Sequence, residues 1–553
     1  MNELEIISLG GCGGFGMNST LYLAGDRAIL VDFGIGFPRG FPVGVAQVVP
    51  DARPLLDRCP RLDAVFITHG HDDHAAGLPH LPEPWRSAPV YAPPLALCSI
   101  GDRFEDTATP RPKLVPVNDG DTIESAPFRV TYIHVTHSIP QNYLLAIDTP
   151  AGLVVHSGDI KLDLTPVAEA PTDLAALSAL RSRGVRLLLL DSTGSRRDGR
   201  TGSERSVRAP LETAIRSAEG TVVVSTFASH LHRIQTVCDI ARRVGRKAAL
   251  LGLRMTRTVR HGIDLGLFTA PRGLLVSAEE LAQEPPERRL YLAGGCQGER
   301  QSSLSRLSLG VDPRAEVGRG DTVVVSASII PGSEVQVGRL LDRFLRIGTG
   351  VIHASDFPGL HVSGHGSRDE IAELVELLRP QAIVPIHGDR INLEAIVTFV
   401  ERLDPAPREA LIIEKGDSLH VGPTKLALGD RIDLPAIHLD EGGVVVSQDV
   451  MRDRYRLALA GVVVVRVTLT REGRRTDAEA RIEPIGIAGW DGPDGVRENT
   501  ERIVRETAQR SGNMSAAELE HDIERQVGNL LRRGNRRRPT VVVMVEETPE
   551  ARS

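Results

Sequence analysis

Leu62-Asp63-Ala64-Val65-Phe66-Ile67-Thr68-His69-Gly70-His71-Asp72-Asp73-His74 is the stretch that decides the reading of this chain. The apolar run Ala64 to Ile67 predicts a buried strand, and Gly70, Ala75, Ala76 and Gly77 let the backbone turn tightly beyond it. Such a strand delivers three imidazoles and two carboxylates to a sheet edge. Neutral imidazole and carboxylate are the ligands that zinc and similar divalent ions prefer. The bland alternative is a polar surface loop whose histidines bind nothing, and this density of ligand groups argues against it.

Side chains on one short loop cannot surround two ions, so a two-metal site needs ligands from further along. They occur at the ends of other strand-like runs. His137 follows Phe128 to Val135, Asp159 follows Val154-Val155-His156-Ser157-Gly158, and His387 follows Ala382-Ile383-Val384-Pro385-Ile386. A lone histidine at a strand end is more often a structural residue. Four strands that each end in a metal-type ligand are harder to attribute to chance.

With these residues in place, the His-x-His-x-Asp-His pattern and the later His and Asp resemble the metallo-β-lactamase fold. Further motifs narrow the resemblance to the β-CASP nucleases, and within them to the ribonuclease J family. Asp191-Ser192-Thr193 resembles the first β-CASP motif, His361-Val362-Ser363-Gly364-His365 the second, and Pro385-Ile386-His387-Gly388-Asp389 the third. Thr226-Phe227-Ala228-Ser229-His230, Gln297-Gly298-Glu299, Ile330-Pro331-Gly332-Ser333-Glu334 and the tail Arg537-Arg538-Pro539-Thr540-Val541 extend it through nearly the whole chain. Gly14 stands where the family usually carries glutamate, Asp72 where it has Glu, and His230 where it has Asn. None of these departures removes an expected metal ligand.

The resemblance implies an α/β chain: a metallo-β-lactamase αββα sandwich with an inserted β-CASP α/β domain and a small C-terminal α+β domain. It implies two divalent ions, Zn²⁺ first, with Mn²⁺ or Mg²⁺ able to support the same geometry. His69, His71 and His137 are expected at one ion, Asp73, His74 and His387 at the other, with Asp159 between them. The nucleophile is then water activated by the ions. Asp73 is the expected proton acceptor, and His365 the donor to the scissile phosphate or the leaving oxygen. Ser229, His230, His361, Val362, Ser363, Gly364 and His365 are the expected substrate contacts, beside a pocket that reads a 5′-monophosphate. The implied function is hydrolysis of single-stranded RNA, 5′ to 3′ and also internally, in RNA maturation and decay. The implied assembly is a homodimer or homotetramer. A DNA-acting or 3′-end-processing β-CASP nuclease stays open as a rival, and so does a catalytically silent RNA-binding scaffold.

Length and composition agree. A chain of 553 residues is too long for one core and suggests about three domains. No segment approaches the ~20 apolar residues of a membrane helix, and Met1-Asn2-Glu3-Leu4-Glu5 lacks the regions of a signal peptide, so a cytoplasmic location and no membrane partner are expected. Five scattered cysteines, Cys12, Cys59, Cys98, Cys238 and Cys296, read as free thiols. The net charge of −7 argues weakly against a general nucleic-acid binder, but a cation pair and local arginines focus field within a cleft. Arg-rich runs at Arg196 to Arg208 and Arg532 to Arg538 read as solvated surface, whereas Arg254, Arg257 and Arg260 are expected to face the active site from the inserted domain.

The landmarks set the organisation. Residues 1–205 form the first part of the metallo-β-lactamase domain and end in a Gly, Ser and Arg linker. Residues 206–350, where strands alternate with amphipathic helices, form the β-CASP domain with a parallel sheet. Residues 351–449 return to the first domain and a linker, because His387 must reach the same ions as His69. Residues 450–553 form the C-terminal domain, with an expected strand Leu457 to Val467, a helix Ala516 to Arg532 and a strand Thr540 to Val545.

Overall fold

Two open sheets lie face to face and share one apolar core in the computed structural model, which describes residues 3–38, 40, 43–330, 332–472, 475–492, 495–512, 514–535 and 538–548. Pro331 and Arg537 of the motifs quoted above lie outside the described residues, as do Met1 and Asn2. The chain divides into two compact units, Met1–Gly36 with Val49–Ala436, and Phe37–Val48 with Ile437–Ser553.

In the larger unit the first sheet has the order Leu426–Leu428, Ser418–Val421, Leu4–Gly10, Ser19–Ala24, Arg27–Val31, Ala64–Phe66, Val90–Ala92 and Leu114–Pro116. The second runs Glu409–Ala410, Ala382–Ile386, Val185–Asp191, Gly152–His156, Tyr143–Thr149, Phe128–His134 and Thr122–Ser125. Ile6, Tyr22, Val31 and Phe66 from one sheet meet Val130, Leu145, Val154, Leu187 and Val384 from the other, all buried. The opposite face of the second sheet is covered by Leu177, Leu374 and Ile396, from the helices Leu174–Arg183, Arg368–Leu378 and Arg390–Val400. Burial on both faces explains why Val185–Asp191 and Ala382–Ile386 are continuous apolar runs rather than alternating ones.

Strand direction gathers the ligands. Gly152–His156, Val185–Asp191 and Ala382–Ile386 pair in parallel, and Phe128–His134 runs the same way because two antiparallel pairings through Tyr143–Thr149 separate it from Gly152–His156. Arg27–Val31 and Ala64–Phe66 are likewise parallel in the first sheet. The carboxyl ends of these strands therefore supply Asp32, His69, His137, Asp159, Asp191 and His387 to one edge of the sandwich, where open α/β sheets place their ligands.

Between Val185–Asp191 and its neighbour Ala382–Ile386 the chain leaves the second sheet and builds a five-stranded, all-parallel one. Its order is Lys247–Leu251, Arg289–Ala293, Val222–Ser225, Thr322–Val325, Gly350–His353. The last strand begins at the residue where the insertion is expected to end, and it pairs with Thr322–Val325. Side chains alternate along Val222–Ser225: Val222 and Val224 pack with Ile234 and Val237 of the helix Leu231–Arg243, while Val223 packs with Leu340 and Phe344 of the helix Glu334–Arg346.

The smaller unit has a three-stranded sheet in the order Arg475–Ile485, Val462–Glu472, Thr540–Thr548. Val463, Val465 and Val467 pack against Val504 of the helix Val496–Gln509 and against Ile523 and Val527 of Ala516–Asn535. One expectation is corrected here. Leu457 to Ala460 are helical, not extended, because Ser447 caps a helix over Gln448–Ala460 and Gly461, at φ +76°, ends it. The strand starts at Val462.

Candidate metal centre

Beyond Ala64–Phe66 the chain turns through Thr68 and His69 into the short helix Asp72–Ala75, so His69, His71, Asp73 and His74 face one point from a single turn. The turn sits tightly against the loop after Arg27–Val31. A Cβ on Gly34 would lie 1.7 Å from the carbonyl oxygen of Asp73, so only glycine fits there. Asp32 and His387 both adopt left-handed backbone, at φ +58° and +55°, a conformation that costs energy in a non-glycine residue and concentrates at functional sites.

The hydrogen-bond network fixes which ring nitrogens are bare. Thr68 donates its hydroxyl proton to Asp32 Oδ2 (2.9 Å), so His69 Nδ1, 3.0 Å from Thr68 Oγ1, must donate to it. His74 Nδ1 donates to Asp32 Oδ2 (2.7 Å), and His137 Nδ1 to the carbonyl of Gly364 (2.7 Å). Thr193 donates to the His387 carbonyl (3.1 Å) and accepts from His387 Nδ1 (2.6 Å). Each of these imidazoles thereby turns Nε2 inward. His69 Nε2 lies 3.0 Å from His71 Nδ1, which lies 3.2 Å from His137 Nε2. The bare Nε2 atoms of His69 and His137 both face His71 Nδ1, which carries at most one proton for the two, whereas a cation among the three satisfies them all.

A second group of donors adjoins the first. His387 Nε2 is 3.2 Å from Asp73 Oδ2, and His74 Nε2 is 3.8 Å from the same oxygen. Asp159 reaches both groups: Oδ2 lies 3.4 Å from His137 Nε2 and 3.7 Å from His69 Nε2, Oδ1 lies 3.2 Å from His74 Nε2 and 3.7 Å from His387 Nε2. Asp159 Oδ1 is fully buried and has no well-directed hydrogen bond, with only the His74 imidazole at 3.2 Å. A buried carboxylate so poorly supplied with donors is costly, and a cation satisfies it. Asn18 Nδ2 donates to Asp73 Oδ2 (3.1 Å) and holds that carboxylate in place. The donors thus fit metal ions, in groups of His69, His71, His137 and Asp159 and of Asp73, His74 and His387, with a further overlapping group of Asp159, Asp191, His365 and His387.

Protonation follows from the same neighbours. Burial pushes His69 and His137 well below the ordinary histidine range and lowers His71, so all three stay neutral and able to ligate. Burial opposes charge on His74 too, yet Asp159, Asp32 and Asp73 together hold its pKa well above the usual value. His387 is raised in the same way, against burial, by Asp159, Asp191 and Asp73. Asp73 and Asp159 are depressed, against burial, by His74 and His387. The space among these carboxylates favours positive charge.

The sequence-derived substrate residues divide into two sets. Gly364 lies against His137, where a Cβ would fall 2.6 Å from the ring, and His365 stands at the cluster with Nδ1 2.7 Å from Asp191 Oδ2 and Nε2 3.9 Å from Asp159 Oδ2. Ser363 accepts from Arg197 (2.9 Å), and its carbonyl faces buried Lys161. His230, in contrast, is 1% exposed and caps its own helix, accepting from the Arg233 backbone, with Nε2 3.5 Å from Glu204 Oε2. His361 faces the same Glu204 and Arg233, Val362 packs into the core of the inserted domain, and Ser229 lies half-buried in the preceding turn.

Arg254 and Arg257 do face the first domain, but as ion-pair partners. Arg254 pairs closely with Asp72, which also binds Arg103 (3.0 Å), and Arg257 with Asp106 (2.8 Å). Asp32, Asn18, Thr193 and Asp191 orient side chains of the cluster and were not among the expected site residues. For Asp32 the signal was available, since it ends the apolar strand Arg27–Val31 as the other ligands end theirs.

Comparison with known proteins agrees with this geometry. Residues 27–251 match the beta-lactamase superfamily domain, 219–344 the ribonuclease J beta-CASP domain, 358–404 the Zn-dependent metallo-hydrolase RNA specificity domain, and 449–548 the ribonuclease J C-terminal domain. The architecture is therefore a metallo-β-lactamase domain with an inserted β-CASP domain and a C-terminal domain. Ribonuclease J of Corynebacterium glutamicum is 32% identical over 99% of this chain and 77% of its own length. Ribonuclease J of Mycolicibacterium smegmatis is 30% identical over 98% of this chain and 97% of its own, and ribonuclease J2 of Bacillus subtilis 28% identical over 99% of both. A crystal structure of a protein of unknown function from Enterococcus faecalis shares the fold, with a TM-score of 0.53 at 14% identity, over 75% of this chain and 99% of that one. With family models matched along its length and relatives aligned from end to end, the chain belongs to the ribonuclease J family.

Proposed function

We propose that the protein is a metal-dependent ribonuclease of the ribonuclease J type, hydrolysing single-stranded RNA by 5′-to-3′ exonucleolytic and internal cleavage in RNA maturation and decay. One observation carries the reading: Asp159 turns one carboxylate oxygen to His69 and His137 and the other to His74 and His387. His69, His71 and His137 would hold one divalent ion and Asp73, His74 and His387 the second, with Zn²⁺ favoured by the nitrogen-rich donor set. Two such ions bound together activate water at neutral pH and neutralise charge on the phosphoryl group.

The chain's own side chains supply the rest. Asp73, with Oδ2 held by Asn18, accepts the proton of the attacking water. His365 holds Nδ1–H to Asp191 and directs Nε2 at the cluster, where it donates to the scissile phosphate or the leaving oxygen. Gly364 lets its backbone carbonyl approach His137 Nδ1 (2.7 Å), where a Cβ would collide with the ring, and this seats the Ser363-His365 segment beside the cluster as a substrate contact. The proposed domain bounds stay those read from the sequence, with the insertion extended through Gly350–His353 because that strand pairs with Thr322–Val325 of the inserted sheet. Self-association through the C-terminal domain is supported by the exposed apolar residues Val542 and Met544 on its edge strand. A cytoplasmic setting is supported by five cysteines that are all free thiols. Among the described residues no helix is long and apolar enough to cross a membrane.

The test is one single-stranded RNA carrying a 5′-monophosphate or a 5′-hydroxyl, incubated with Mn²⁺, Mg²⁺ or Zn²⁺ and sized on a gel. Mononucleotides released mainly from the monophosphorylated RNA are expected. Internal fragments irrespective of the 5′ end would make the enzyme chiefly an endonuclease, and no cleavage with any metal would favour the scaffold reading.

A further inference from the structure

Outside the metal cluster, a cleft of about 320 Å³ opens between the helix Arg390–Val400 and the start of the helix Arg368–Leu378. Ile391, Thr398 and Phe399, together with Arg402 just beyond the helix end, line one wall, and Arg196 and Arg368 line the other. The volume lies at the low end of small-ligand sites, about 300–1,000 Å³.

Two of its three guanidiniums are unpaired. Neither Arg196 nor Arg402 has an ion pair or side-chain hydrogen bond among the described residues, although both are exposed. The carboxylate on the wall, Glu394, is bound by Arg390 (2.6 Å). Arg368 is fixed in advance: Nε donates to the Ser195 carbonyl (2.8 Å), one terminal nitrogen reaches Asp198 (2.5 Å), and the guanidinium lies 5.7 Å from the centre of the Phe399 ring. Two free guanidiniums beside a third, which rests over the Phe399 ring and is held in place, match a phosphate, and the exposed Ile391 offers an apolar contact to the group that carries it.

The loop that carries Arg196 also serves the metal cluster. Thr193 holds His387, Ser195 Oγ donates to the Asn392 carbonyl (3.0 Å), and Arg197 donates to Ser363 Oγ and the His365 carbonyl (2.9 Å each). Arg196 leaves that loop for the other cleft.

We propose that this cleft is an accessory nucleotide-phosphate site, distinct from the catalytic cluster. The inference rests on the ribonuclease reading, and its chemistry admits two sources, a phosphodiester of the bound RNA strand or a free nucleotide.

The experiment compares the full chain with its Arg196→Ala/Arg402→Ala double variant. Both side chains are exposed, so the fold survives, and a thermal melt verifies it. Equilibrium binding of fluorescent single-stranded RNAs of about 5 and about 20 nucleotides is measured at several salt concentrations, with His365→Ala in both proteins to suppress cleavage. Binding of AMP is measured by calorimetry. If the RNA strand is the ligand, the double variant loses about tenfold affinity for the long RNA alone, and its salt slope falls by about 1.4, the equivalent of two single-strand phosphate contacts. If a free nucleotide is the ligand, AMP binding disappears while RNA affinities hold. Unchanged long-RNA affinity, salt slope and AMP binding would overturn the proposal. Cleavage of the short RNA by the chain with His365 intact tests the ribonuclease reading separately, so the two can fail independently.

Discussion

His365 Nδ1 lies 2.7 Å from Asp191 Oδ2, and burial has not kept that carboxylate from ionising: His365 and His387 hold its pKa far below the usual range. The pair fixes the tautomer of His365 and aims Nε2 at the cluster, as a carboxylate orients a general acid.

His365→Ala is therefore expected to lower kcat by about 10²–10⁴-fold while metal content is unchanged. Single-turnover cleavage with elemental analysis of the same samples checks this. Loss of metal in the variant would instead make His365 a ligand, as its membership of the overlapping donor group with Asp159, Asp191 and His387 allows.

Asp32 touches no expected substrate atom, yet it anchors His74 directly and His69 through Thr68. Removing such an outer carboxylate typically weakens metal affinity by about 10–100-fold. Asp32→Ala is expected to do so in a competition titration with a metallochromic chelator. An affinity equal to that of the unaltered protein would show that the two imidazoles are held by packing alone.

How far the site was legible depended on what kind of interaction placed each residue. His69, His71, Asp73, His74, His137, Asp159 and His387, read from the sequence as candidate ligands, lie together in the structure because each follows an apolar strand, and parallel strands bring their ends to one edge. Residues that act through another side chain left weaker traces. Thr193 reaches His387 across 194 positions of sequence, and only the pairing of Val185–Asp191 with Ala382–Ile386 brings the two together. His230, read as a substrate contact, lies buried in the structure. Its neighbours in sequence suggest a substrate loop, but the buried Glu204 and the fully buried Arg233, paired at 2.5 Å, draw it inward. The extended pattern Leu457 to Val467 was broken by one capping serine and one glycine, local signals that a β-branched run outweighs on reading.

Burial pushes His230 down to about 4, against the opposing charge of Glu204. An unfolded histidine titrates near ~6.5, so between those values the unfolded chain binds one more proton than the native one. This contribution is complete above pH ~6.5 and is lost as pH falls towards 4. His230→Asn removes the group and is expected to flatten the dependence of unfolding free energy on pH in that window by about 1.4 kcal/mol per unit. Denaturant melts across pH 4.5 to 6.5 measure it. An unchanged slope would mean that His230 is protonated in the folded protein beside Glu204.

Asp159 stands where it would serve two cations at once, and metal stoichiometry alongside cleavage, for the full chain and for His74→Ala, measures this most directly. Two divalent ions per chain are expected in the unaltered protein, one in the variant, and loss of nearly all cleavage with RNA binding retained. Wild-type turnover by His74→Ala with a single bound ion would contradict it.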